Sequence, residues 1–225
     1  MNFLELSQAL VREGGISGTL TSVSGQVGEM GRVVNWINTA YRYILNSQKH
    51  WRFLRKEITF YAIAGATEYP TISLGLADFG EWKLDDVRAY AQAIGIADEQ
   101  RVTHACDYDD FRRKYRIGTM RIQTGRPLIA VERPDQALVL WPVPDAAYSV
   151  MAEYYRAPPA LLTNSDTPAL PARFHEAIVY RALMLYAEFE GDASLFASAQ
   201  SEFSRWLSQI ERSNLPSFSA GGPMA

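Results

Sequence analysis

The hydrophobic residues keep a helical period at both ends of the chain and lose it in the middle. Near the start, Phe3, Leu6 and Leu10 form one stripe over residues 2–13, widened by Leu4 and Val11 and ended by Gly14 and Gly15. A second helix is predicted from about Met30, where Val33, Val34, Ile37, Ala40, Tyr41, Ile44 and Leu45 follow the i, i+3, i+4, i+7 rule with Trp36 beside them. The stretch between, "ISGTLTSVSGQVGE", is rich in Gly, Ser and Thr and reads as a surface connection. From Ile58 the pattern changes to alternation, Ile58 and Phe60 against Thr59 and Tyr61, and no long helical period returns before residue 171.

Within that middle stretch, "DYDDFRRKYR" has the form of a short helix opened by Asp107. "PLIAVERPDQALVLWP" reads as two strands joined at Pro134, Asp135 and Gln136, and "YSVMAEYYR" as a third. Helical spacing resumes after Pro171 with Phe174, Ala177, Ile178, Arg181, Leu185, Tyr186 and Phe189, and stops at Gly191. Asp192 then caps a last helix whose inner side carries Leu195, Phe196, Ala199, Phe203, Trp206, Leu207 and Ile210. The fold class expected is therefore α+β: a bundle of helices from both ends of the chain with an antiparallel, β-rich domain inserted. The boundaries read as residues 1–54 for the N-terminal helices, 55–157 for the insertion, 158–213 for a C-terminal helical hairpin and 214–225 for a flexible tail.

At 225 residues and 48% hydrophobic, the chain can bury a sizeable core. A net charge of -3 argues against a dedicated nucleic-acid binder, which usually has a basic excess. Cys106 is the only cysteine, which excludes an internal disulfide and a cysteine zinc cage. Glu5 interrupts what a signal peptide would need, and no run approaches 18 apolar residues, so a soluble, unsecreted protein with no membrane partner is expected.

Motifs for catalysis fail on spacing. His175 and Glu176 begin an HExxH pattern, but Val179 stands where the second histidine is needed. His104 and Cys106 lie beside Asp107, Asp109 and Asp110 without a second cysteine or nearby histidine, and a surface loop entering a capped helix accounts for them. Asp85 and Asp86 are adjacent and read as solvated turn residues. "GTMRIQTGRP" lacks the lysine of a phosphate cradle. No catalytic residue, metal ligand or cofactor is assigned, and no enzyme is expected.

Two features suggest contacts instead. Arg112, Arg113, Lys114, Arg116, Arg121, Arg126 and Arg133 form a basic run interrupted by one acid, Glu132, with Phe111 and Tyr115 interleaved. A solvated helix face is the plain reading, an acidic protein neighbour the functional one, and nucleic-acid phosphates met by residues 112–133 the alternative. The C-terminal "LPSFSAGGPMA" carries Leu215, Phe218 and Met224 as apolar anchors on a polar, Gly- and Pro-rich segment that either stays disordered or folds into a partner's groove.

The order of parts resembles the head-to-tail adaptor (connector or neck) proteins of tailed bacteriophages, including the tubular adaptors of short-tailed phages. It rests on "GRVVNWINTAYRYILNSQKHWRFLRKEITF", the β-rich insertion, and "LVLWPVPDAAYSVMAEYYRAPPALL" running on through "FHEAIVYRALMLYAEFEGDASLFASAQSEF". The resemblance implies a structural virion protein of the neck, made in the bacterial host cytoplasm. It implies a ring, dodecameric by family, bound beneath the portal protein, docking a downstream tail or nozzle protein and passing viral DNA through its lumen without sequence-specific binding. It further implies that the segment from Leu215 onward reaches the portal, and that some of the five Trp and twelve Tyr lie at subunit contacts.

Overall fold

The computed structural model describes residues 1–105 and 107–215, so Cys106, Phe218 and Met224 lie outside the described residues. The chain divides into two compact units, one from Met1–Phe53 together with Pro158–Ala225, the other from Leu54–Ala157. Among the described residues, no helix is long and apolar enough to cross a membrane.

Among the described residues, the first unit holds four α-helices: α1 (Phe3–Glu13), α2 (Gly28–Asn46), α4 (Glu176–Glu190) and α5 (Ala193–Asn214). Asn2 opens α1 with a capping box, its side chain accepting from the Glu5 amide at 2.9 Å while Glu5 accepts from the Asn2 amide at 2.9 Å. α2 begins slightly before the expected Met30 and buries Val33, Ile37, Ala40, Tyr41, Ile44 and Leu45, with Val34 only half-buried. The segment between α1 and α2 departs from its expected surface course, because Ile16, Leu20 and Val23 are buried. Its Gly, Ser and Thr residues make the turns, and these three aliphatics fix it to the core.

α4 is the central helix of the unit and packs against α1, α2 and α5. It buries Ala177, Ile178, Val179, Ala182, Leu183, Met184 and Ala187, whereas Leu185 and Tyr186 are half-buried and Phe189 is exposed. The expected stripe is thus corrected: a helix with neighbours on several sides has no single wet face, and one stripe cannot describe it. A 3-10 turn, Ala172–Phe174, precedes it, so Pro171 opens that turn rather than α4 itself. Gly191 ends α4 at φ +74°, a left-handed conformation that glycine adopts without strain, and Asp192 caps α5 by accepting from the Leu195 amide at 2.9 Å. On α5 the buried stripe is narrower than expected, Ala199, Phe203 and Ile210 followed by Asn214.

The link from Pro158 to α4 is tied down by side chains rather than by regular structure. Asn38 of α2 donates to the Leu161 carbonyl and accepts from the Leu161 amide, each at 2.9 Å. The Tyr41 hydroxyl accepts from the Ala169 amide at 3.0 Å, and Asn164 accepts from the Val23 amide at 2.7 Å. Trp51, fully buried, donates to the last carbonyls of α2, those of Ile44 and Leu45, at 3.1 Å.

The second unit is a curled, mostly antiparallel sheet. Its strands are β1 (Arg55–Ala62), β2 (Glu68–Tyr69), β3 (Phe79–Ala91), β4 (Gln100–His104), β5 (Thr124–Gly125), β6 (Ile129–Glu132), β7 (Leu138–Trp141), β8 (Val143–Pro144) and β9 (Tyr148–Arg156). Seven of them run in the order β1, β9, β3, β4, β6, β7, β2, while β5 and β8 make a separate small ladder. β9 is central: it pairs with β1 from Arg55↔Tyr155 to Ala62↔Tyr148, and with β3 on its other side. Phe60, Trp82, Leu84, Val87, Val102, Leu138, Leu140, Val150 and Tyr154 belong to the core that results.

β3 carries a register shift between Lys83 and Arg88, and that irregularity is where Asp85 and Asp86 sit. They are solvated, as expected, but on a bulged strand rather than in a turn; a bulge leaves residues unpaired and turns them outward. Among the described residues, the only crossover between parallel neighbours in the large sheet runs from β4 to β6 and includes helix α3 (Tyr108–Tyr115).

Candidate functional site

α3 sits where the sequence places it and carries Arg112, Arg113 and Lys114 of the basic run, with Arg116 at its C-terminal cap. Asp107 caps it by accepting from the Asp109 amide at 2.9 Å, acids occupy its first turn and Arg112, Arg113 and Lys114 its last, the order that the helix dipole favours. Phe111, 1% exposed, packs into Val131, Val139 and Trp141 of the sheet, and the Tyr115 ring lies 4.4 Å from that of Trp141. With this face fixed, Arg112, Arg113 and Lys114 must face solvent. A cleft of about 410 Å³ is lined by Asp109, Arg112, Arg113, Arg116 and Ile117.

The structure scatters the seven cations into different roles. Arg113 pairs with Asp110 on the same helix. Arg116 reaches Glu68 of β2 at 2.6 Å, and Arg133 reaches the other oxygen of Glu68 at 2.5 Å while also pairing with Asp135. The Arg116 guanidinium holds the Glu68 carboxyl below the usual carboxylate range, with Arg133 adding to the effect. Arg133 likewise brings Asp135 down to about 2.

Arg126 is a structural pin. It donates to both Asp98 carboxylate oxygens at 2.9 Å, to the Ala89 carbonyl at 2.7 Å and to the Asp98 carbonyl at 2.5 Å. Asp98 also accepts from the Ala91 amide at 2.9 Å, and that bond, with Arg126, holds its carboxyl below the ordinary value. Arg126 therefore clamps the loop that follows β3 and leaves little charge to offer outward.

Arg112, Lys114 and Arg121 remain exposed and make no ion pair among the described residues. Arg121 borders a smaller cleft of about 280 Å³ with Gly65, Thr67, Glu68, Arg116 and Trp141. The basic feature is thus three unpaired cations spread over α3 and the 3-10 turn Gly118–Ile122 rather than gathered on one face, with two paired cations and the exposed Ile117 and Ile122 among them.

Of the tail anchors, only Leu215 is described: its amide donates to the Glu211 carbonyl at 2.9 Å and closes α5. His175 is buried at the start of α4, its Nε2 lying 2.9 Å from the Leu170 carbonyl oxygen, and burial lowers its pKa. His104 ends β4, and among the described residues no group of His, Cys, Asp and Glu could hold a metal ion.

One feature escapes the basic-run reading entirely. Ile63, Ile94, Ile96, Ile122 and Leu128 are 60%, 67%, 74%, 73% and 49% exposed, in loops and short 3-10 turns of the second unit. The signal in the sequence is an isoleucine between small residues, "AIAGAT" and "QAIGIAD", where no strand or helix can bury it.

Comparison with known proteins agrees with this picture of a protein built for contacts. No curated protein matches the chain. A family model described as SU10 adaptor protein matches residues 1–223, nearly the whole of both units. On that match the chain belongs to the SU10 adaptor protein family, and is a bacteriophage adaptor protein.

Proposed function

We propose that the chain is the structural head-to-tail adaptor of a tailed phage, working by geometry and adhesion with no chemical step. Twelve copies assemble into a ring beneath the portal protein, extend the DNA channel and receive the next tail or nozzle protein. The ring uses head-to-tail contacts in which two different faces of each subunit meet around a closed rotation. The segment from Leu215 onward, with Phe218 and Met224, anchors the ring to the portal. The free cations Arg112, Lys114 and Arg121, with Arg113 and Arg116 beside them, meet an acidic protein neighbour. An acidic chain also suits a lumen through which DNA must slide without sticking. The protein is made in the host cytoplasm and ends in the virion neck.

The observation that carries this reading is the family match over residues 1–223. The alternative, phosphate binding by residues 112–133, draws less support, because Arg113, Arg116, Arg126 and Arg133 are all engaged by carboxylates of the same chain. Particles made without this protein test the proposal: DNA-filled heads that carry no tails are expected. Fully tailed, infectious particles would refute it.

A further inference from the structure

β1 is an edge strand whose outer side is bare. The sheet order places β9 on one side of it and, among the described residues, no strand on the other. At the opposite edge β2 is two residues long, whereas β1 runs for eight, Arg55–Ala62, in unbroken register with β9. The Gln92 amide donates to the Ala147 carbonyl at 3.0 Å and the Ala157 amide to the Asp78 carbonyl at 2.7 Å. The odd-numbered residues of β9 therefore turn their backbone groups towards β3, and the even-numbered ones towards β1. The residues of β1 bonded to β9 are then Lys56, Ile58, Phe60 and Ala62. Arg55, Glu57, Thr59 and Tyr61 aim their N–H and C=O groups away from the sheet, and no other backbone group among the described residues meets them.

Such a row of unpaired groups is a template for another strand unless something blunts it. Residues 55–62 contain no proline and no bulge. Their charges stand at one end, where Arg55 donates to Glu153 and Lys56 to Asp78, each at 2.7 Å. From Ile58 to Ala62 the strand is uncharged: Phe60 and Ala62 are buried on the core face, Ile58 beside them is half-buried, and Thr59 and Tyr61 are exposed on the other face. The occupant that fits is an extended strand with apolar residues beside Ile58 and Phe60 and no cation beside Arg55 or Lys56. β1 itself has that pattern. Laid antiparallel on a second β1 with Thr59 opposite Thr59, it sets Ile58 against Phe60, Glu57 against Tyr61, Lys56 against Ala62 and Arg55 against Ile63. No like charges meet. Outward residues then pair with outward residues, as the ladder requires, and Glu57, Thr59 and Tyr61 supply about six main-chain hydrogen bonds. The neighbouring registers set Lys56 against Phe60 or carry it past the end of the strand.

We propose that the β1 edge docks the β1 edge of a second copy of this chain, antiparallel about a two-fold axis at Thr59. The two sheets join into one, with Ile58 of each copy covered by Phe60 of the other. The contact is isologous, so it joins two copies and then closes. It is therefore a paired state of the chain, apart from the head-to-tail ring proposed above, and it does not depend on the adaptor reading.

Sedimentation velocity of the purified full-length chain at rising concentration tests the proposal. Wild type is expected to pass from monomer to dimer. Thr59→Lys and Thr59→Glu each set like charges together at the two-fold axis, and each is expected to weaken the dimer roughly tenfold. Mixed in equal amounts at low salt, the two variants are expected to dimerise again, because the axis then brings opposite charges together, and high salt should reverse the gain. Recovery on mixing is a result that a folding defect cannot produce. A wild type that stays monomeric overturns the proposal, as does dimerisation unaltered in both charge variants, which would place the contact elsewhere on the chain. Rings formed in place of dimers overturn it too. If a monomeric wild type binds purified portal rings and Thr59→Pro, which removes an outward N–H alone, abolishes that binding, the edge belongs to a strand of the portal instead.

Discussion

Replacing Phe111 by Ala removes the most deeply buried side chain that fastens α3 to the sheet. Phe111 is 1% exposed and packs with Val131, Val139 and Trp141, while Tyr108 and Tyr115 stack around it. A buried Phe→Ala change costs about 3–5 kcal/mol, from lost transfer energy plus the cavity left behind. The rigid strands on one side cannot close that cavity, so the upper half of the range applies if the helix stays in place. If it peels away instead, the loss is capped at the free energy of undocking the helix, and amide exchange in residues 108–115 rises before that in the strands. For a unit of this size each kcal/mol moves the melting midpoint by about 4–8 °C, so a fall of at least about 16 °C is expected if the helix stays docked. Phe111→Leu keeps most of the volume and should cost less than half as much. Calorimetry of both variants, with exchange measured by mass spectrometry, decides the matter. A midpoint within about 4 °C of wild type together with unchanged exchange in α3 would show that Phe111 does not hold the helix.

Three further outcomes follow from other sites. His175 is buried with a lowered pKa, so between the unfolded value near 6.5 and the lower folded value the unfolded chain binds more protons; stability is full above that window and falls as pH drops through it, a loss that His175→Gln should flatten in urea titrations at pH 7 and 5. Glu68→Gln removes the carboxylate shared by Arg116 and Arg133; with a third of its side chain exposed the stability cost is about 0.5–1 kcal/mol, while retention on a polyanion column should increase because Arg116 is released and one negative charge is lost, Arg133 keeping its pair with Asp135. Gly80 lies at a second register shift of β3, between Phe79 and Glu81, and Gly80→Ala places a Cβ 2.9 Å from the Tyr155 carbonyl oxygen and 3.2 Å from the Ala157 nitrogen, so a destabilisation of about 1–3 kcal/mol is expected by thermal denaturation, against none if the strand there can shift.

Local order was legible in the sequence, and tertiary commitments were not. Periodicity placed α1, α2 and α5, and alternation with turn residues placed β6, β7 and β9, because those signals act over a few neighbouring residues. It misread α4, whose several packed sides blur any stripe, and it put Ile16, Leu20 and Val23 at the surface because their Gly- and Ser-rich setting outweighed three spaced aliphatics. Asp107 and the charges behind it announced α3, but the partners of its cations lie far away in sequence: Glu68 for Arg116 and Asp98 for Arg126. No local pattern marks which cation will meet a carboxylate across a sheet. The nearness of the exposed Ile63, Ile94 and Ile96 was hidden for the same reason, since their loops become neighbours only once β1, β3 and β9 have paired.

The central claim is that this protein is the ring that joins head to tail, and native mass spectrometry of the purified chain mixed with the portal protein of the same genome tests it most directly. The account predicts a complex holding twelve copies of the chain per portal ring, even if the free chain is a monomer. No association at any salt concentration would contradict it.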